Sequence, residues 1–123
     1  YLPCVLGNEL QIERLFENLI SNSLKYCRDG VVPIIEISYS EKNENDLCLF
    51  VKDNGIGFSN IYVDKIFDPF QRLDGDISKI GSGLGLSICK KIMLAHEGDI
   101  KAEGEVGRGA KFTVTFKKKN ENE

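Results

Sequence analysis

FENLISNSLKY, residues 16–26, reads as the middle of a core helix, with Phe16, Leu19, Ile20 and Leu24 at helical spacing. Yet Asn18 and Asn22 stand four residues apart in it, and Lys25 follows three later. Asparagine is a poor helix former, costing about half a kcal/mol against alanine in a helix interior. At 100° per residue the two amides and the ammonium fall within about 60° of each other, roughly 100° from the centre of the apolar face. A stripe so placed borders the core and faces something polar. An amide oxygen is a hard neutral ligand suited to Mg²⁺, and an ammonium suits a phosphate. A merely solvated face has no reason to choose asparagine over glutamate or lysine.

Working outward, Asn8 suits an N-cap, with Gln11 at the third helical position in a capping-box-like arrangement. From there Ile12, Leu15, Phe16, Leu19, Ile20, Leu24 and Cys27 keep one face apolar, and Asp29-Gly30 ends the helix. Leu2–Leu6 reads as a short strand before it. Residues 33–40 alternate and are rich in β-branched residues, and 47–51 form a second strand, its hairpin partner. Residues 58–82 lose pattern, apart from one short helix around Val63–Phe67. A stretch that long is usually a functional lid or disorder. Helical period returns over Gly83–Ala95, with Gly98 as a C-cap, and residues 100–102 and 110–116 close the chain as a strand pair. The end, 117–123, is a solvated, frayed tail.

At 123 residues the chain is one domain, 1–123, and its 41% hydrophobic and 28% charged fractions are those of a soluble globular protein. A net charge of −3 argues against nucleic acid or anionic membrane as the main partner. No apolar run approaches the roughly 18 residues that a membrane span needs. The opening Tyr-Leu-Pro, already inside an apolar run, suggests an excised domain of a longer parent, so that any membrane anchor or sensor would lie outside this sequence. Cys4, Cys27, Cys48 and Cys89 form no CxxC pair, so buried, reduced thiols in a cytoplasmic protein are expected. His96 stands near a helix end, as a cap or surface residue rather than a ligand or base.

Three glycine clusters remain: DNGIG at 53–57, GSGLGL at 81–86 and GEVGRG at 104–109. None is a Walker loop, and none completes GxGxxG, since Ile88, Leu86 and Asn60 stand where the third glycine belongs. GSGLGL opens a helix, where free N–H groups favour phosphate, although simple loop-to-helix punctuation explains it equally. Asp53 ends a strand where it could accept from an exocyclic amine, with Gly55 and Gly57 letting a flat ring lie against the backbone. An Asx turn leaving a strand accounts for the same residues.

The ordered set ENLISNSLKY, DNGIG, IFDPFQR, GSGLGLSI and GRGAKF closely resembles the N, G1, F, G2 and G3 boxes of the catalytic, ATP-binding domain of sensor histidine kinases. These belong to the wider Bergerat-fold class of ATPases, which includes type II topoisomerases, large heat-shock chaperones and mismatch-repair ATPases. The resemblance covers essentially the whole chain. It implies an α/β two-layer sandwich: a mixed, mainly antiparallel sheet of about five strands, with about three helices on one face and a mobile ATP lid. It implies Asn22 as the Mg²⁺ ligand, Lys25 and Tyr26 as phosphate and nucleotide contacts, and Asp53 as the reader of the adenine amine. Gly55 and Gly57 would shape that pocket. Gly81, Gly83 and Gly85, with Leu84 and Leu86, would carry the lid hinge and phosphate contacts. Phe67 and Phe70 match the box that anchors the lid, and Arg72 stands where the family often brings a cation to the γ-phosphate. Gly104 and Ala110 replace the serine or threonine more common in the third box.

Asn18 belongs to the nucleotide site and is also an informative departure. Hydrolysing relatives keep a glutamate there to activate water, and an amide is no general base near neutral pH. Glu17 points about 100° away around the helix. The resemblance therefore implies a histidine protein kinase domain that uses ATP and Mg²⁺. Its acceptor would be a histidine on a separate dimerisation domain of the parent, itself a homodimer, with a response regulator receiver downstream. The isolated domain is expected to be monomeric. An ATP hydrolase of the same fold and a nucleotide sensor without transfer are the alternatives.

Overall fold

The computed structural model describes residues 7–63, 65–68 and 85–118. These form helices α1 (Glu9–Lys25) and α2 (Gly85–Ala95), strands β1 (Ile35–Glu41), β2 (Asp46–Asp53), β3 (Asp99–Glu105) and β4 (Gly109–Lys117), and a short 3₁₀ helix at Asn60–Tyr62. The strands make one antiparallel sheet in the order β1-β2-β4-β3. Residues directly opposite in such a sheet share a face. The register Leu49↔Val114↔Ile100 and Val51↔Phe112↔Ala102 therefore gathers the apolar residues on one side. Both helices cover that side with Leu15, Leu19, Cys89, Ile92 and Met93. The other side is polar: Lys111 lies 3.7 Å from Glu103 and over the ring of Phe50.

This is the expected two-layer α/β sandwich, with corrected counts. Among the described residues there are four strands and two helices rather than about five and three. The strand expected at Leu2–Leu6 lies outside the described residues. The short helix expected at Val63–Phe67 is a 3₁₀ helix three residues earlier, capped by the Ser59 side chain, with turns at 65–67.

The Asn8 cap forms as read, its side chain accepting from the Gln11 N–H at 3.0 Å. The buried stripe of α1, however, is Leu15, Leu19 and Ser23. Leu24 is 52% exposed and lies off the core face. Burying leucines such as Leu15 and Leu19 contributes about 2 kcal/mol apiece. The helix ends at Lys25 rather than at Asp29-Gly30. The Tyr26 carbonyl, which would accept from the Gly30 N–H in a continuing helix, instead accepts from Ile56 at 2.9 Å. At the end of α2 the left-handed residue is Glu97 (φ 57°), and the Gly98 N–H returns to the Met93 carbonyl at 2.8 Å. Gly98 is needed because a Cβ there would run into the Thr115 carbonyl of β4.

His96 caps α2 as expected. Its Nδ1 lies 2.7 Å from the Ile92 carbonyl, and its Nε2 accepts from the Asn8 N–H at 2.9 Å, tying the start of α1 to the end of α2. Cys27, Cys48 and Cys89 are free thiols. Burial pushes the Cys89 thiol up to about 12, which leaves it inert. No helix among the described residues is long and apolar enough to cross a membrane.

Candidate functional site

The last residue of β2 is Asp53, which register places opposite Ile35 on the helix-covered face. A carboxylate at that position is 9% exposed, so it needs donors. It finds three. Its Oδ1 accepts from the Gly55 N–H at 2.9 Å and the Ala110 N–H at 3.2 Å, and its Oδ2 accepts from the Ser23 hydroxyl of α1 at 2.9 Å. Helix, strand end and the start of β4 thus converge on one side chain.

The DNGIG loop holds this arrangement. Asn54 clamps the preceding segment, accepting from the Ile34 N–H and donating to the Val32 carbonyl. Arg28 donates from Nε to the Asn54 carbonyl at 2.8 Å. A Cβ on Gly55 would meet the Tyr26 carbonyl, and one on Gly57 (φ 67°) would meet the Glu105 and Gly109 carbonyls. The space these two glycines leave is therefore filled by the chain's own backbone, which brings the loop against the end of α1 and the β3–β4 turn. The Gly107 N–H completes that contact by donating to the Ile56 carbonyl at 2.7 Å. Gly104 stands where a Cβ would strike Phe58, and its N–H donates to the Asn60 side chain. A serine or threonine side chain has no room there.

One helical turn apart on α1, Asn18 and Asn22 are half-buried, and Lys25 is exposed. The Asn22 side chain makes no hydrogen bond and Lys25 no ion pair among the described residues. Asn18 lies beneath the first residue of α2, its Oδ1 3.8 Å from where a Cβ on Gly85 would sit. Its Nδ2 is buried without a partner among the described residues. An orphaned buried donor costs about 1–3 kcal/mol, which a bound acceptor would recover. Glu17 is exposed.

Structure therefore brings Asn18 close to Gly85, and Tyr26 and Asp53 together around Gly55. Leu86 is half-buried against the core. Phe67 sits in the core itself, its ring 6.4 Å from and nearly perpendicular to that of Phe112. Phe70, Arg72, Gly81, Gly83 and Leu84 lie outside the described residues. Sequence reasoning missed Ser23 and the Ala110 N–H. The signal for Ser23 was available: it stands four residues after Leu19, on the core stripe, where an apolar residue is expected.

Residues 7–120 match the family described as histidine kinase-, DNA gyrase B-, and HSP90-like ATPase. The chain belongs to that family. Over 115 residues it is 42% identical to cyanobacterial phytochrome A of Nostoc sp., matching 94% of this chain and 15% of that protein. It is 40% identical over 115 residues to the sensor histidine kinase WalK of Bacillus subtilis, matching 92% of this chain and 19% of that protein. The full-length ShkA structure in complex with AMPPNP superposes with a TM-score of 0.78 at 26% identity, covering 94% of this chain and 23% of that one. The chain thus spans less than a fifth of these curated relatives, and within the family it is an ATP-binding domain of the sensor histidine kinase kind.

Proposed function

We propose that α1, the end of β2 and the start of α2 form an ATP site, from which the γ-phosphoryl group passes to a histidine on a separate dimerisation domain of a longer parent. The observation that carries this reading is Asp53. A carboxylate offers about four acceptor positions, and three are taken among the described residues. The position left lies on Oδ2 and suits one N–H of the adenine amine, whereas a base with a carbonyl there would meet a second acceptor. The similarity to a protein solved with AMPPNP, an ATP analogue, supports the same ligand.

The amide stripe faces the phosphates in this reading. Among the described residues no three His, Cys, Asp or Glu side chains gather into an acidic cage. An amide oxygen together with phosphate oxygens is a donor set that fits Mg²⁺. Asn22 would hold that ion, which when bound neutralises charge on the phosphates. Lys25 and Tyr26 would hold phosphate and nucleotide, and Asn18 would donate its orphaned N–H to a phosphate oxygen or its water. Gly85 opens α2, whose free N–H groups favour an anion. Gly81, Gly83 and Gly85, with Leu84 and Leu86, would carry the lid hinge and phosphate contacts, Phe67 and Phe70 would anchor one end of the lid, and Arg72 would bring a cation to the γ-phosphate. Gly55 and Gly57 would shape the adenine pocket through the backbone contacts they permit.

With an amide at Asn18 and Glu17 turned away, α1 places no base to activate water, which suits transfer to another protein over hydrolysis. A response regulator would then take the phosphoryl group onward, and the parent would act as a homodimer.

Titrating ATP with and without Mg²⁺ tests the metal assignment. Wild type should bind more tightly with Mg²⁺, and Asn22→Ala should lose most of that increment, roughly tenfold, while metal-free affinity barely changes. Equal losses in both conditions would remove Asn22 as the ligand.

A further inference from the structure

We propose that Ser23 is a positioning residue for base selection, acting through Asp53 to leave a single acceptor aimed at the base. This rests on the reading of Asp53 as the adenine contact. A serine inside a helix ordinarily donates back to the carbonyl four residues earlier or turns to solvent. Ser23 does neither: it is 3% exposed and donates to Asp53 Oδ2 at 2.9 Å, across to the sheet layer. Alanine would suit that buried helical position better by propensity alone, so the hydroxyl needs another reason.

The carboxylate's geometry supplies one. The two backbone N–H groups on Oδ1 fix that oxygen from the loop and from β4. Because the carboxylate is planar, they also restrain rotation about the Cβ–Cγ bond, but from one edge only, and a partner on Oδ2 is needed to hold the other edge. Ser23 holds it from α1. With one position of Oδ2 occupied, the remaining one has a fixed direction and accepts only. The selected chemistry is a purine bearing an exocyclic amine at C6, and the rejected chemistry is a purine bearing a carbonyl there.

The test measures affinity for ATP and for inosine triphosphate, which differs by that amine-to-carbonyl exchange, alongside thermal melting without nucleotide. In Ser23→Ala the carboxylate loses the orienting bond on Oδ2, the oxygen that faces the base, and keeps the two on Oδ1. ATP affinity should fall roughly five- to tenfold, inosine triphosphate affinity should hold or rise, and the preference ratio should shrink accordingly. A residue that only supports the fold would lower both affinities together or shift the melting temperature with an unchanged ratio. Either outcome overturns the proposal. Asp53→Asn is the companion variant. Its amide keeps an oxygen for the two N–H groups and turns a donor toward the base, so the preference should move toward inosine triphosphate. If that ratio stays as in wild type, the adenine reading of Asp53 fails and the role of Ser23 with it. If Asp53→Asn shifts the ratio and Ser23→Ala does not, only the role of Ser23 fails.

Discussion

Asp53→Ala should weaken ATP binding about a hundredfold or more, enough to abolish it at ordinary concentrations. Two losses add in the same direction. The adenine amine loses a charged acceptor, worth about 1.5–3 kcal/mol. The Ser23 hydroxyl and the Gly55 and Ala110 N–H groups lose their shared partner, so the walls of the pocket are no longer held at one point. Calorimetric titration of the folded variant checks this, with circular dichroism to establish that the sandwich persists. Near wild-type affinity would remove Asp53 from the base-binding role.

Gly109→Ala should cost about 3 kcal/mol or more and lower the melting temperature by about 10 °C or more. Gly109 has φ 127°, a region essentially closed to side-chain-bearing residues. Its missing Cβ would also point into the carbonyl oxygen of Asp53 and toward the Asn54 Cα. Relief requires the start of β4 to move away from β2, and this carries the Ala110 N–H off Asp53 Oδ1. Stability and ATP affinity should therefore fall together. Gly107→Ala is the contrast: φ is 79°, but a Cβ there meets nothing within 4 Å. It should cost only about 1–2 kcal/mol and leave affinity intact. Thermal melts of the two variants compare these directly; equal shifts would mean that the close approach to Asp53 carries no weight.

How much of this was legible in the sequence depended on the range of each interaction. The Asn8 cap spans three residues and was readable. So were the strands, because their periodicity of two coincides with burial on β2 and β4. Edge strand β1 shows the limit of that rule. Ile37 and Tyr39 alternate like core residues but are 42% and 47% exposed, since being on the covered face does not guarantee a helix overhead. The end of α1 was misplaced because the group that stops it, the Ile56 N–H, arrives from another part of the chain. The capping of α2 was read onto Gly98 because glycine is the usual left-handed residue. Here Glu97 takes that conformation, and Gly98 answers to β4 instead. Within the site, the Asn18, Asn22 and Lys25 stripe follows from helical period alone. The same period puts Ser23 on the core stripe, but its partner was not readable, because Asp53 lies 30 residues away and only the β2–α1 packing brings the two together.

Following the γ-phosphate tests the central claim most directly. The domain, joined to the preceding segment of its parent, is incubated with Mg²⁺ and ATP labelled at the γ position. The account predicts that label appears on a histidine of that segment as an acid-labile, base-stable bond, with little free phosphate released. Label recovered as inorganic phosphate, with none on the protein, would contradict it.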